Sequence, residues 1–188
     1  MNNELPWVEK YRPNNLNDIV LEKNNKKIFN NMIDKNIFPN LLFYGPPGTG
    51  KTTTIVNIIK NYQIKNYNKI NNNLILHLNA SDDRGIEIIR NQIYNFVISK
   101  PLFSNGLKFI ILDEADYMTK TAQHALRNLI EIIDVKNICF CLICNYITKL
   151  DSSLQNNFLK IKFNNLPYTN ITQFLQNIVK SENLNIST

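Results

Sequence analysis

The run GPPGTGKT at 45–52 carries the most specific chemistry in the chain. It matches G-x-x-x-x-G-K-[ST], a phosphate-binding loop. Gly45, Gly48 and Gly50 let backbone N–H groups turn inward around phosphate oxygens. A helix beginning at Lys51 would add its N-terminal partial charge. Lys51 would reach the β- and γ-phosphates, and the Thr52 hydroxyl would ligate Mg²⁺. Pro46, Pro47, Thr49 and Thr53 complete the candidate nucleotide cradle. The competing reading is a chance glycine-rich turn; an apolar run before the loop and a helical pattern after it count against that.

LDEAD at 112–116 supplies the acids such a loop needs. Asp113 is placed to hold Mg²⁺ through water, and Glu114 to orient an attacking water as general base. Two acids solvating a strand end are the alternative. Asn145 closes another apolar run, where it would hydrogen-bond the γ-phosphate or the water, or simply cap the strand. Arginine occurs only at 12, 84, 90 and 127. Arg84 sits near a predicted helix start and suits a nucleic-acid phosphate. Arg90 and Arg127 fit a salt bridge or subunit contact as well. His77 and His124 stand alone and read as structural.

The elements that would position these groups alternate. Apolar strands are expected at about 40–44, 75–80, 109–113 and 138–145, with an alternating edge strand at 159–163. Helices are expected over about 51–62, 82–99, 120–133 and 169–182. Ser81 or Asp82 would cap the second and Thr119 the third. Ile86, Ile89, Ile93, Phe96 and Val97 form one helical stripe, and Ala122, Ala125, Leu126, Leu129 and Ile133 another. Residues 61–73 are asparagine-rich and read as a connecting loop. Alternation of this kind means an α/β fold around a mostly parallel sheet covered on both faces.

Composition sets the outer bounds. A chain of 188 residues, 44% hydrophobic and 19% charged, can bury a core. No apolar run approaches the roughly 18 residues of a membrane span, and MNNELPWVEKYRP lacks a signal peptide's apolar core. Asparagine makes up about a sixth of the chain. Asparagine, isoleucine and lysine share AT-rich codons, so the net charge of +6 suits nucleic acid or reflects nucleotide bias. Cys139, Cys141 and Cys144 are too few and too local for a disulfide framework. In a strand Cys141 and Cys144 face opposite ways, so CFCLIC reads as buried strand.

VEKYRP at 8–13, GPPGTGKTT at 45–53, LNASDDRGIEIIRNQI at 78–93, ILDEADYMT at 111–119, AQHALR at 122–127 and LICNY at 142–146 occur in that order. Together they resemble the small subunits of replication factor C, the eukaryotic sliding-clamp loader, an ATPase of the AAA+ class. SDDRGI, RNQI and FCLICNY are most similar to the branch numbered subunit 5 in humans and subunit 3 in budding yeast. The resemblance spans about residues 5–187.

That resemblance implies a P-loop NTPase (AAA+) three-layer αβα sandwich with a mostly parallel five-stranded sheet, over residues 1–164, plus the first helix of an incomplete lid at 165–188. It implies ATP and Mg²⁺ as cofactors. Val8, Tyr11, Arg12 and Pro13 would lie near the adenine, with Val8 and Tyr11 as base contacts. Asn145 would be the first sensor of the γ-phosphate. Arg84, Arg90 and Thr119 match the zone that tracks DNA phosphates. Ile93, Phe96 and Phe103 are candidates for docking on the clamp, with core packing as the alternative. The implied partners are the other subunits of a hetero-pentamer, the sliding clamp (PCNA) and primer–template double-stranded DNA, in the nucleus, with no membrane.

Two departures stand out. The family's Ser-Arg-Cys after LQ is replaced by Asn156, Asn157 and Phe158, so the arginine-finger position is Asn157. A neutral amide cannot supply that charge, and losing such a finger costs about 10³-fold or more in rate. The second-sensor arginine of the lid and the collar are also absent, as expected for a fragment or a divergent subunit. Three readings follow: an ATP-hydrolysing clamp-loader subunit, a nucleotide-binding or scaffold subunit of the same complex, and another AAA+ nucleic-acid machine such as a branch-migration motor. VEKYRP and SDDRGI weigh against the last.

Overall fold

The computed structural model describes residues 5–81, 87–99, 106–133 and 137–184, with backbone alone at 17 and 88–90. In chain order the main elements are α1 (Trp7–Lys10), α2 (Lys23–Lys35), β1 (Leu41–Tyr44), α3 (Lys51–Tyr67), β2 (Ile75–Asn79), a π-helical turn (Ile88–Ile93) running into α4 (Tyr94–Ile98), β3 (Lys108–Asp113), α5 (Lys120–Ile132), β4 (Ile138–Cys144), α6 (Ser152–Gln155), β5 (Leu159–Lys162) and α7 (Tyr168–Ser181).

The strands lie in the order β2-β3-β4-β1-β5, and every neighbouring pair is parallel. Parallel pairing requires crossovers, which put helices on both faces. The two-residue period of the strands divides the core cleanly. Leu41, Phe43, Phe109, Ile111, Cys139, Cys141 and Ile143 pack with Phe29 and Ile33 of α2 and Ile55, Ile58, Ile59 and Tyr62 of α3. Leu42, Ile110, Leu112, Phe140, Leu142 and Cys144 pack on the other face with Leu126 and Ile130 of α5, Ile93 and Leu154. Each leucine, isoleucine and phenylalanine among them contributes about 1.5–3 kcal/mol on burial. The three-layer αβα sandwich expected from the sequence is therefore present, with β5 at an edge. Cys141 and Cys144 do face opposite layers, and burial pushes the Cys139 and Cys144 thiols up to about 12.

Several elements differ from the sequence reading, among them the short α1 and α6, which have no counterpart in it. The loop expected at 61–73 is helix as far as Tyr67, because Tyr62 and Gln63 are buried and hold the helix against the sheet. Gln63 also exchanges hydrogen bonds with the Asn71 backbone, at 3.1 and 2.9 Å. Packing thus outweighs the poor helix propensity of asparagine. α2 was not foreseen; its buried face is only Phe29, Met32 and Ile33 within a run of lysine and asparagine. Of the helix expected over 82–99, the cap candidate Asp82 and Ile86 lie outside the described residues. What is described is a π turn and the short α4. Ile93 is fully buried there. Core packing, the alternative to clamp docking, therefore holds at that residue.

Asparagine has a structural use. Asn36 and Asn68 adopt left-handed backbone at the ends of α2 and α3, where their N–H groups close the last turns.

The phosphate loop leaves β1 at its closest contact. Gly45 has φ of 144°, and a Cβ there would stand 2.0 Å from the Phe163 carbonyl oxygen. The loop start and the end of β5 are joined there by the Phe163 N–H, which donates to the Tyr44 carbonyl at 2.8 Å. Gly45→Ala should therefore lower stability by about 2–4 kcal/mol. Urea unfolding would show it as a lower midpoint with an unchanged slope; an unaltered midpoint would contradict the close approach.

Candidate functional site

The carboxyl ends of β1, β3 and β4 deliver the functional groups to one edge of the sheet. β1 runs into the glycine loop, β3 ends in Asp113, and β4 is followed by Asn145. Lys51 opens α3 directly after the loop. Its ammonium is buried and donates to the Gly45 and Pro46 carbonyls at 2.8 Å each and to Asn145 Oδ1 at 2.9 Å. Burial pulls its pKa below the usual lysine value, against the pull of Cys144, Asp113 and Asp116. Lys51 thus ties the loop to the end of β4.

Thr52 donates from its hydroxyl to Asp113 Oδ2 at 2.6 Å. The other carboxylate oxygen accepts the Glu114 N–H at 2.8 Å. Burial favours the neutral form of Asp113. The His77 ring, the Thr52 hydroxyl and the Glu114 N–H outweigh it and hold the carboxyl below its ordinary range. His77 Nε2 stands 3.9 Å from Asp113 Oδ2, an ion-pair distance rather than a hydrogen bond. Glu114 adopts φ of 53°, which turns the chain sharply as β3 ends.

These groups line a cavity of about 590 Å³. It is lined by Pro47, Gly48, Thr49, Gly50, Lys51, Thr52 and Thr53 together with Asp113, Glu114 and Asn145. Val8, Tyr11, Arg12 and Pro13 form a wall, fixed to α3 where Asn57 Nδ2 donates to the Pro13 carbonyl at 2.9 Å. Gly45 and Pro46 contribute through the carbonyls that accept Lys51.

The donor set fits Mg²⁺ nucleotide. Among the described residues no group of three or more His, Cys, Asp or Glu could hold a metal ion. Mg²⁺ needs no such cage, since it is held through one or two protein ligands, substrate phosphates and water. The Thr52 hydroxyl and the Asp113 carboxylate offer that set. Among the described residues no helix is long and apolar enough to cross a membrane.

A family model for "ATPase family associated with various cellular activities (AAA)" matches residues 41–166. The chain belongs to the AAA family.

Within curated proteins it is similar to replication factor C subunit 3 of Schizosaccharomyces pombe, 46% identical over 97% of this chain and 52% of that protein. The Saccharomyces cerevisiae subunit 3 is 45% identical over 97% and 52%, and the Homo sapiens subunit 5 is 44% identical over 97% and 53%. The chain spans about half the length of the curated relatives it matches. This homology accords with the family that the motifs resemble. Among solved structures, the RuvB Holliday junction branch migration motor of Thermotoga maritima superposes with a TM-score of 0.71 at 17% identity, over 94% of this chain and 56% of that one. At that identity the likeness is one of AAA fold.

Other sequence candidates fall elsewhere. Thr119 caps α5, its hydroxyl accepting the Ala122 N–H at 3.2 Å. Arg84, Phe103 and the Arg90 side chain lie outside the described residues. Arg127 pairs with Glu131 at 3.5 Å. Asn157 is not among the residues that line the cavity.

The sequence reading missed several contributors. Trp7 of α1 and Phe174 and Ile178 of α7 line the cavity. Phe174 and Ile178 lie in a helix that the sequence predicts over 169–182, whereas the short helix carrying Trp7 has no such signal. Gln123 is buried in α5; its amide donates to the Met118 and Lys149 carbonyls and its oxygen accepts the Asp151 N–H at 2.7 Å. It fixes the loop after Asn145, which Asp116 also holds through the Tyr146 N–H at 3.4 Å. His77 was read as structural yet stands beside Asp113.

The hydrogen bond from Thr52 yields a measurable consequence. With its folded pKa lowered, Asp113 adds stability fully present above the unfolded value of about 3.9. That contribution is lost as pH falls through the lower folded value. Thr52→Ala should move the Asp113 titration upward in carboxyl NMR; an unmoved titration would contradict the contact.

Proposed function

We propose that this chain is the nucleotide-binding part of a replication factor C small subunit. It would act in a nuclear hetero-pentamer that handles a sliding clamp and primer–template DNA. One observation carries the reading: Lys51, the Thr52–Asp113 pair and Asn145 converge in one cavity at the carboxyl edge of the sheet. Residues 1–164 would form the nucleotide-binding domain and 165–188 the start of the lid. Pro167, at the N-cap of α7, supports that division.

ATP with Mg²⁺ would supply the reactive phosphoanhydride and the metal's charge. Lys51 would exchange its carbonyl and Asn145 partners for phosphate oxygens. Backbone N–H groups of 48–52 would cradle the phosphates, aided by the start of α3. Thr52 and Asp113 would hold the metal side. Glu114, next along the chain, would orient water as general base. Asn145 would sense the terminal phosphate once Lys51 releases it. Val8, Tyr11, Arg12 and Pro13 would face the base. Arg84, Arg90 and Thr119 would meet DNA phosphates.

The favoured form of this reading is nucleotide binding and scaffolding with impaired hydrolysis in the complex. Asn157 puts a neutral amide where the neighbouring subunit's site would need an arginine, so within the complex it would impair hydrolysis at that neighbouring site. A fully hydrolysing, clamp-loading subunit is the second form, supported by Glu114 in the cavity wall.

ATP binding and turnover, measured for the chain alone and then with partner subunits, clamp and primed DNA, separate the two. Tight binding without stimulated turnover is expected. Strong stimulation would favour the hydrolysing form, and no binding even with partners would overturn both. Lys51→Ala should weaken nucleotide affinity on the order of 100-fold, as charge-assisted contacts are lost; unchanged affinity would refute the placement of the phosphates.

A further inference from the structure

We infer that Glu182 is a positioning residue that locks the base-facing wall of the nucleotide cavity. It does so by fastening the end of α7 to α1 and Tyr11. The inference rests on the nucleotide reading above and deepens it.

Two short helical rows meet over the cavity. Trp7 and Tyr11 are four residues apart and both line it. Phe174 and Ile178 line it from α7 with the same spacing, and Glu182 continues that row one turn further on. Residues four apart stand one above another on a helix face. The apolar parts of both rows therefore face the cavity from two helices.

The closure is specific. One Glu182 oxygen, Oε1, accepts the Tyr11 hydroxyl at 2.5 Å and the Lys10 ammonium at 2.6 Å. The Glu182 side chain is only 19% exposed. Its backbone N–H donates to the Ile178 carbonyl at 2.9 Å, so the carboxylate is fixed relative to a cavity-lining residue. An exposed ion pair contributes little because two long side chains must be ordered to form it. Here Tyr11 is semi-rigid and already part of the wall, and hydrogen bonds to a charged group are stronger than neutral ones. Tyr11 thus has two roles: its ring faces the cavity and its hydroxyl carries the clasp. The contact joins residues 171 positions apart. Opening α7 away from the loop requires breaking it.

The two halves of the ligand should then respond differently. On the nucleotide reading the phosphates would rest on 45–53 and the base between the two rows. Affinities for MgATP and for inorganic tripolyphosphate with Mg²⁺ would be measured for the wild-type chain, Glu182→Ala and Tyr11→Phe, alongside thermal unfolding without ligand. Glu182→Ala should weaken MgATP roughly three- to tenfold and leave tripolyphosphate within about twofold. Tyr11→Phe should weaken MgATP similarly, and the double variant no more than either single one. Wild-type affinity for MgATP in Glu182→Ala would overturn the clasp alone, as would an equal loss for both ligands. A wild-type chain that binds neither ligand would overturn the nucleotide reading and the clasp with it.

Discussion

A buried ammonium organises the functional edge of this fold. Lys51 lies almost out of solvent and must find acceptors there, because an unpaired buried charge costs several kcal/mol. It takes two carbonyls from its own loop and the side-chain oxygen of Asn145, just beyond β4. The loop, the start of α3 and the end of β4 are therefore set relative to one another by one group. The same ammonium is the cation that phosphate oxygens would claim. On the proposed reading those oxygens would take the place of its present protein partners.

The parallel sheet makes that arrangement possible. With β1 between β4 and β5, and β3 beyond β4, the glycine loop, Asp113 and Asn145 all emerge at one edge. The close approach of Gly45 to Phe163 sets where the loop turns. Around this rigid centre the walls differ in kind. Gln123 and Asp116 pin the loop that follows Asn145 through part-buried hydrogen bonds. α1 and α7 meet at Glu182, near the surface. The glycine-loop side of the cavity is thus tied to buried residues, and the α1–α7 side rests on contacts with partly exposed side chains.

The glycine loop and the strand ends were legible because their residue types are tied to one chemistry at fixed spacing. The strands were legible because alternate residues enter two separate apolar layers, as at Leu41, Leu42 and Phe43. α2 was not, since its buried residues are few among lysine and asparagine. The end of α3 was hidden for a related reason: Tyr62 and Gln63 are buried within an asparagine-rich run, and burial decides helix there. Pairings distant in sequence were illegible in principle. Nothing local in Glu182 points to Tyr11, nothing in His77 points to Asp113, and Gln123 reads as one more polar residue on a helix.

The measurement that bears most directly on the role of Lys51 is its side-chain NMR signal during a titration with MgATP. If the ammonium exchanges carbonyl and amide partners for phosphate oxygens, the resonance should shift and saturate at one nucleotide per chain. A Lys51 resonance unmoved at saturating MgATP would contradict it.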